Sequence, residues 1–200
     1  MTVKYAMIID LEQCVGCDAC AVACKLDNGT GTDIKWSRVV EEELGSFPEV
    51  KKIYLPLQCM HCDEAECVRV CPTGATYKDE RGIVLIDYDK CMGCKYCMIA
   101  CPYQARYFNQ ARKPPEGVPA MAEGDRLRKG AVEKCDLCHD RLAQGEAPRC
   151  VELCPYDARL FGDKDDPGSE VARRLKQDNP VTLKPDGGFG PSIYYLGVKQ

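Results

Sequence analysis

Sixteen cysteines in a chain of 200 residues carry the chemistry that the sequence displays. They fall into four sets of four with none left over. The sets are Cys14, Cys17, Cys20 and Cys24 (set I), Cys59, Cys62, Cys67 and Cys71 (set II), Cys91, Cys94, Cys97 and Cys101 (set III), and Cys135, Cys138, Cys150 and Cys154 (set IV). Recurring groups of four thiolates are typical ligands of iron–sulfur cubanes.

The spacing within the sets has a mechanical reason. Sets I and III read C-x2-C-x2-C-x3-C, set II reads C-x2-C-x4-C-x3-C, and set IV reads C-x2-C-x11-C-x3-C. A loop of this kind curls around a cluster, and the final x3 step, about one helical turn, carries the fourth cysteine away from it. In two-cluster bacterial ferredoxins that cysteine ligates the other cluster. The pattern predicts four [4Fe–4S] clusters.

Two other uses of cysteine compete with this interpretation. Zinc sites usually combine two separated C-x2-C knuckles, which differs from dense runs of four that end in Cys-Pro. Disulfide frameworks belong mostly to short exported chains. The fourfold recurrence of the pattern favours clusters over both.

Composition and charge point the same way. The apolar share of 45% includes the cysteines, so hydrocarbon for a core is scarce, and bound clusters would add ligation energy to folding. The net charge of −4 argues against a general binder of nucleic acid or anionic membranes. Lys25, Lys95 and Arg149 stand beside ligands, where two roles are open for each: offsetting thiolate charge, or being an ordinary solvated residue.

Other catalytic and membrane signals are weak in this sequence. It contains no dinucleotide fingerprint and no P-loop. Both histidines, His61 and His139, lie inside cysteine loops, where we expect them to form hydrogen bonds rather than to catalyse. No window approaches the ~20 apolar residues of a membrane span, and the first residues lack the apolar region of a secretory signal. We therefore expect no direct membrane span.

The elements that position the cysteines form a repeat of short strand, cluster loop and short helix. We expect strands at Tyr5–Asp10, Lys52–Leu57 and Ala158–Phe161, and a hairpin of Ala75–Lys78 with Ile83–Asp87. The short helices are expected at Ala19–Lys25, Ala65–Val70, Lys95–Ala100 and Cys150–Leu153. The predicted fold class is α+β.

The separations between sets indicate how the repeats combine. Sets II and III are the closest pair, with only positions 72–90 between them, which is the layout of a two-cluster ferredoxin module, and sets I and IV would form a second module around it. The segments 25–58 (I to II) and 102–134 (III to IV) are longer and nearly equal, which leaves a tandem pairing open. The nested arrangement divides the chain into module A (1–25 plus 130–165), module B (52–108), insertions at 26–51 and 109–129, and an extended C-terminal tail at 166–200.

Four segments carry a family resemblance: CVGCDACAVACK at 14–25, CMHCDEAECVRVCPTGA at 59–75, CMGCKYCMIACPYQARYF at 91–108 and CDLCHDRLAQGEAPRCVELCPYDARLFGD at 135–163. The chain resembles the four-cluster iron–sulfur subunit of molybdopterin oxidoreductases of the dimethyl sulfoxide reductase family. Its tail is similar to the short members, among them polysulfide, thiosulfate, tetrathionate and arsenate reductase subunits and those of phenolic hydroxylases. The segment 34–51 most resembles the arsenate type.

The resemblance implies crossed ligation. Cluster 1 would use Cys14, Cys17, Cys20 and Cys154; cluster 2 would use Cys135, Cys138, Cys150 and Cys24; cluster 3 would use Cys59, Cys62, Cys67 and Cys101; and cluster 4 would use Cys91, Cys94, Cys97 and Cys71. Some relatives lack one ligand of the third set and hold a [3Fe–4S] cluster, but Cys94 is present here, so four cubanes are expected. Set I departs mildly from the pattern of the other three sets, because Lys25 rather than proline follows its last cysteine, Cys24.

The same resemblance implies a non-catalytic subunit that relays single electrons in anaerobic respiration. Cluster 1 would face a large catalytic subunit that holds the molybdopterin with Mo or W, and cluster 4 would face a quinone-linked membrane subunit or a soluble redox carrier. The alternative is an equivalent subunit of a formate dehydrogenase or hydrogenase complex. Two compartments stay open, the periplasmic face after co-export with a twin-arginine partner, and the cytoplasm.

Overall fold

The computed structural model describes residues 3–31, 33–110 and 130–197. The strands in these residues are β1 (Tyr5–Asp10), β2 (Arg38–Ser46), β3 (Glu49–Leu57), β4 (Thr76–Lys78), β5 (Val84–Ile86), β6 (Tyr107–Phe108), β7 (Val132–Glu133), β8 (Arg159–Asp163) and β9 (Ile193–Leu196). The helices are α1 (Ala19–Asn28), α2 (Glu66–Arg69), α3 (Tyr96–Ile99), α4 (His139–Ala143), α5 (Arg149–Glu152) and α6 (Glu170–Gln177). The mixture of short helices and strands is that of an α+β protein.

A three-stranded sheet joins the two ends of the chain. The apolar strand β1 is central, with β8 antiparallel on one side and β9 parallel on the other. Ala6 and Ile8 pack against Val171 of α6, whereas Met7 and Ile9 belong to the cluster of buried side chains that contains the cysteines. Because β1 leads into set I and β8 follows set IV, their pairing brings these distant sets together.

The strand expected at Lys52–Leu57 is the second arm of a longer hairpin. It begins at Glu49, and β2 pairs with it along its whole length, from Arg38 opposite Leu57 to Ser46 opposite Glu49. The base of the hairpin is partly buried, while its distal half is exposed and Phe47 at the turn is 91% exposed. The insertion 26–51 thus contributes a strand that its polar sequence did not predict.

Two smaller hairpins lie beside sets II, III and IV. The hairpin predicted between sets II and III is confirmed as β4 and β5, and Asp79 closes its turn by accepting the N–H groups of Arg81 (3.0 Å) and Ile83 (2.7 Å). Strands β6 and β7 pair across the chain segment 111–129. The insertion predicted at 109–129 lies almost wholly outside the described residues.

The predicted helices are confirmed close to their expected positions, with α1 extending beyond Lys25 to Asn28. Helix α1 packs against α5, and α2 packs against α3. All sixteen cysteines are free thiols, which removes the disulfide framework as an interpretation. Seven of them are buried, and five of those share a cluster of buried side chains with Met7, Trp36 and Tyr195. None of the helices in the described ranges has the length and apolar character needed to cross a bilayer.

The tail returns to the sheet through β9. Tyr195, fully buried, donates from its hydroxyl to the carbonyl oxygen of Pro56 at 2.8 Å. Its backbone N–H and C=O both bond to Val181. Up to residue 197 the tail therefore wraps over the chain itself and fastens the β2–β3 hairpin to the central sheet.

We expect Tyr195→Phe to destabilise the protein by about 1–2 kcal/mol, because it removes a buried hydrogen bond while keeping the ring. For a chain of this size, each kcal/mol corresponds to roughly 2–4 °C in Tm. Tyr194→Phe, one residue earlier on the same strand, is the matched control. Thermal unfolding of the anaerobic protein at one scan rate measures both, and equal Tm values for the two variants would show that the Pro56 contact contributes nothing.

Candidate metal centres

Cysteines from sets I and IV meet around two cavities. Group 1, which lines a partly open cavity of about 350 Å³, is Cys14, Cys17, Cys20 and Cys154. Group 2, which lines one of about 340 Å³, is Cys24, Cys135, Cys138 and Cys150. Each group contains three cysteines from one set and the last cysteine of the other set.

Cysteines from sets II and III meet in the same crossed way. Group 4, around a cavity of about 290 Å³, is Cys71, Cys91, Cys94 and Cys97. Group 3 is Cys59, Cys62, Cys67 and Cys101. Cys62 and Cys101 pack against the cluster of buried side chains that contains Cys59. Burial, followed by the charges of Cys59, Cys67 and Cys101, raises the pKa of Cys62 to about 12, as expected for thiols that lie near one another. The structure brings every predicted ligand into one of the four groups.

Residues with a left-handed backbone conformation allow the cysteine loops to turn tightly around the cavities. Gly16, in the loop of set I, has φ +71°, and a Cβ there would lie 2.1 Å from the ring of Tyr54. Gly93, the corresponding residue of set III, has φ +73°, and its Cβ would lie 2.1 Å from the carbonyl oxygen of Gly130. Two residues later in each loop, Asp18 and Lys95 are also left-handed and precede α1 and α3. These turns let the chain reverse around the cavity. The helix that follows then carries the fourth cysteine of the set to the neighbouring group.

The interior thiols resist ionisation in the protein alone. Burial, reinforced by neighbouring cysteines, raises the pKa of Cys24 and Cys135 well above the ordinary thiol value. Burial also raises the pKa of Cys138 to about 12. Four such thiols become thiolates together only when positive charge is placed among them, and the iron of a cluster supplies it.

Hydrogen-bond donors point at several sulfur atoms. The N–H groups of Thr76 and Leu137 donate to Cys71 Sγ and Cys135 Sγ, both at 3.4 Å. For Cys71, burial raises the pKa but hydrogen bonds from Thr76 and Thr73 outweigh it, so the pKa lies below the ordinary value. Donors of this kind stabilise thiolate ligands. The thiols, the cavities and the donors together fit an iron–sulfur cluster; within the described ranges, no three His, Cys, Asp or Glu side chains converge on a single-ion site.

Three buried cations lie among the cysteine groups, and sequence reasoning missed all three. They are Arg106 (4% exposed), Lys134 (1%) and Arg159 (5%). A repeat was the available signal for the arginines, because Cys-Pro-Tyr-x-Ala-Arg occurs at 101–106 and again at 154–159.

The cations that the sequence singled out bond elsewhere. Lys25 Nζ donates to the carbonyl oxygens of Gly31 (2.5 Å) and Ile34 (3.0 Å). Lys95 lies 3.9 Å from the ring centre of Phe108, and Arg149 pairs with carboxylates at Asp27 and Glu152. Of the two roles open from the sequence, these contacts favour ordinary local bonding over compensation of thiolate charge.

The two histidines form local contacts. His61 is buried, and its Nδ1 accepts the N–H of Val84 at 3.1 Å, which leaves the proton on Nε2. Burial lowers its pKa well below the ordinary value, so the ring is neutral. His139 lies 3.4 Å from the carboxylate of Asp140 near the surface. Both contacts agree with the hydrogen-bonding role expected from the sequence.

Two of the groups reach the surface. Of the sixteen cysteines, all within the described residues, only Cys17 of group 1 and Cys94 of group 4 are exposed. Exposed apolar side chains surround them in sequence: Val15 and Val22 flank Cys17, while Met92 and Ile99 flank Cys94. Val22 and Ile99 occupy equivalent positions of the repeat, two residues after Cys20 and Cys97.

Comparison with known proteins identifies iron–sulfur domains over the segments that carry these cysteines. A family model described as a 4Fe-4S dicluster domain matches residues 50–116 and 110–164, and one described as a 4Fe-4S binding domain matches residues 11–31. The arsenate respiratory reductase iron-sulfur subunit ArrB of Shewanella sp. (strain ANA-3) is 41% identical over 98% of both chains. A putative dimethyl sulfoxide reductase iron-sulfur subunit of Halobacterium salinarum is 42% identical over 96% of this chain and 79% of its own length. A selenate reductase subunit of Mesobacillus selenatarsenatis is 41% identical over 97% and 72%.

These relatives confirm the resemblance seen in the cysteine motifs and do not favour a formate dehydrogenase or hydrogenase subunit. Ferredoxin-type 4Fe–4S domains in an α+β chain identify an electron-transfer subunit rather than a catalytic one. The chain belongs to the iron–sulfur electron-transfer subunits of the dimethyl sulfoxide reductase family of molybdopterin oxidoreductases.

Proposed function

We propose that the chain relays single electrons through four [4Fe–4S] clusters, numbered as groups 1 to 4, between a catalytic subunit and a second redox partner. Each bound cluster supplies a site that takes up and releases one electron. The observation that carries the proposal is the meeting of sixteen thiols in four groups of four, with none left over. The catalytic partner would hold the molybdopterin with Mo or W, and the second partner would be a quinone-linked subunit or a soluble carrier.

We infer that the two-cluster modules are nested. Groups 1 and 2 draw only on sets I and IV, and groups 3 and 4 draw only on sets II and III. The pairing of β1 with β8 and the packing of α1 on α5 support module A (1–25 plus 130–165). The β4–β5 hairpin and the packing of α2 on α3 support module B (52–108). A tandem arrangement would instead need set I beside set II.

The two exposed cysteines suggest where electrons enter and leave. Group 1 would face the catalytic subunit through Cys17, and group 4 would face the redox partner through Cys94. Groups 2 and 3, whose cysteines are buried or partly buried, would form the interior of the path. Apolar side chains around both exposed cysteines suit surfaces that partner proteins cover.

The proposal predicts the metal content of the protein. Anaerobically purified protein should contain about 16 iron and about 16 acid-labile sulfide per chain, because four cubanes each contribute equal numbers of both. It should be brown, with zinc far below one equivalent. Elemental analysis and a sulfide assay measure this, and a folded, colourless, iron-free protein would contradict it.

Crossed ligation predicts the result of paired substitutions. Cys14→Ala with Cys154→Ala removes two ligands of group 1, so electron paramagnetic resonance of the reduced protein should retain about three quarters of the wild-type cubane signal. Cys14→Ala with Cys138→Ala damages groups 1 and 2 and should retain about one half. Both pairs combine one change in set I with one in set IV. If each set held its own cluster, both pairs would retain about one half.

The assignment of group 1 to the catalytic subunit and group 4 to the second partner predicts different effects of two substitutions at equivalent positions. Val22→Asp, near group 1, should weaken co-purification of the catalytic subunit, because it places a charge on the apolar surface beside Cys17. Ile99→Asp, near group 4, should leave co-purification intact but slow electron exchange with the second partner. Co-expression with the catalytic subunit and stopped-flow oxidation of the reduced protein measure the two effects, and each variant is the control for the other. Loss of the catalytic subunit in Ile99→Asp alone would reverse the assignment.

A further inference from the structure

A buried arginine lies between groups 1 and 2. Arg159 Nη2 donates to Cys20 Sγ of group 1 at 3.3 Å, and Nη1 approaches Cys150 Sγ of group 2 at 3.8 Å. Burial lowers the pKa of Arg159, but the charges of Cys150 and Cys20 more than offset this and raise it. The guanidinium is thus a fixed positive charge in contact with a ligand of each group.

A second buried arginine lies between groups 3 and 4. Arg106 follows Cys101 by five residues, as Arg159 follows Cys154. Its Nη1 donates to Thr76 Oγ1 at 3.3 Å, while its buried Nη2 has no hydrogen-bond partner among the described residues. Against the effect of burial, the charges of Cys67 and Cys59 of group 3 and of Cys97 of group 4 raise its pKa. Thr76 also donates its backbone N–H to Cys71 Sγ of group 4, so it holds the guanidinium beside that group. The guanidinium is therefore placed beside group 4, with thiols of group 3 close enough to act on its charge.

A buried lysine lies between groups 2 and 3. Lys134 Nζ donates to the carbonyl oxygens of Val84 and Cys135, the latter at 2.8 Å. Cys135 is a member of group 2. Val84 in turn donates its N–H to His61 Nδ1 at 3.1 Å, and His61 lies between Cys59 and Cys62 of group 3 in the loop of set II. Through these bonds Lys134 is linked to both groups. It therefore occupies the junction where the two modules meet.

We propose that these three residues form a series of cations, one at each junction along the path from group 1 to group 4, which raise the reduction potentials of the clusters on both sides. The proposal rests on the proposed function. A cubane core of charge 2+ with four thiolates carries a net charge of −2, and an added electron makes it −3. A fixed cation at the boundary stabilises the more negative state of either neighbour more than the less negative state. Removing the cation should therefore lower both adjacent potentials.

Burial makes this effect large. Salt and water screen charges at the surface, but they screen buried charges much less. The interior groups 2 and 3 each border two of the cations, whereas the end groups 1 and 4 each border one and reach solvent through Cys17 or Cys94. The series therefore places the most positive charge beside the groups that water screens least.

The experiment compares Arg159→Met, Lys134→Met and Arg106→Met in the full complex by redox titration monitored by electron paramagnetic resonance. Arg159→Met should lower two of the four potentials, and Arg106→Met should lower the other two. Lys134→Met should lower one from each pair. We expect at least a tenfold change in each affected reduction equilibrium, which is about 59 mV for a one-electron couple. This pattern can be recognised without assigning any signal to a particular cluster.

Three controls separate charge from packing. Arg159→Lys and Arg106→Lys retain the charge and should keep potentials within about threefold of wild type in the reduction equilibrium, or about 30 mV. Arg173→Met changes an exposed arginine of α6 and should shift nothing. If the methionine variants lose iron, Arg159→Gln and Arg106→Gln provide neutral polar replacements for the same titration.

The outcomes distinguish this inference from the proposed function. Clusters that are present with unchanged potentials would overturn the inference and leave the electron relay intact. The inference would also be overturned if Arg159→Met and Arg106→Met lowered the same two potentials. It would be overturned as well if Arg159→Lys and Arg106→Lys lowered the potentials as much as the methionine substitutions do. A wild-type protein without clusters would instead overturn the proposed function.

Discussion

Seven buried thiols share the interior with hydrocarbon side chains, and the charge that the thiols carry as thiolates is the constraint that the rest of the chain satisfies. A buried thiolate without compensating charge is unfavourable, and burial accordingly raises the pKa of Cys24 and Cys135. Left-handed turns let the loops curl around the cavities. N–H groups donate to sulfur atoms, and cations lie between the groups, so both compensate the charge of the thiolates. The scarcity of other apolar side chains follows, because ligation energy replaces part of the hydrophobic contribution to folding.

Local parts of this arrangement were predictable because they are encoded within a few residues. Cysteine spacing determined the loops and the short helices, and the apolar run of β1 and the turn residues around Gly82 determined a strand and a hairpin. The spacing indicated that the fourth cysteine of a set ligates a different cluster, but the full assignment of cysteines to four groups was expected only through family resemblance. Spacing alone left tandem and nested pairings open, since the choice depends on contacts such as β1 with β8, which pair Tyr5 with Asp163 across most of the chain.

Features that depend on distant partners escaped prediction. Strand β2 has no alternation of apolar and polar residues, because the distal hairpin is exposed on both faces and nothing selects one of them. Strand β9 and α6 are defined by packing on β1, which is remote in sequence. Arg106 and Arg159 resemble surface residues until the fold places thiols around them, whereas Lys25 and Arg149 stand beside cysteines in sequence but bond to other acceptors. Proximity along the chain was thus an unreliable guide to charge compensation: it would have pointed to Lys134, which precedes Cys135, but not to either arginine.

The two kinds of cysteine loop are distributed unequally along the proposed path. Groups 1 and 4, which include the exposed cysteines, take three members each from sets I and III, whose tight C-x2-C-x2-C loops turn at Gly16 and Gly93. Groups 2 and 3 take three members each from sets IV and II, whose spacing is longer. A tight loop places few atoms between sulfur and solvent, which suits a site that exchanges electrons with another protein. A longer loop has additional residues that can pack against the rest of the chain. Lys134 bonds to Cys135 of set IV and to Val84, which bonds to His61 in the loop of set II. The proposed nesting of one repeat pair inside the other would thus place both compact loops at the ends of the path and both extended loops in the middle.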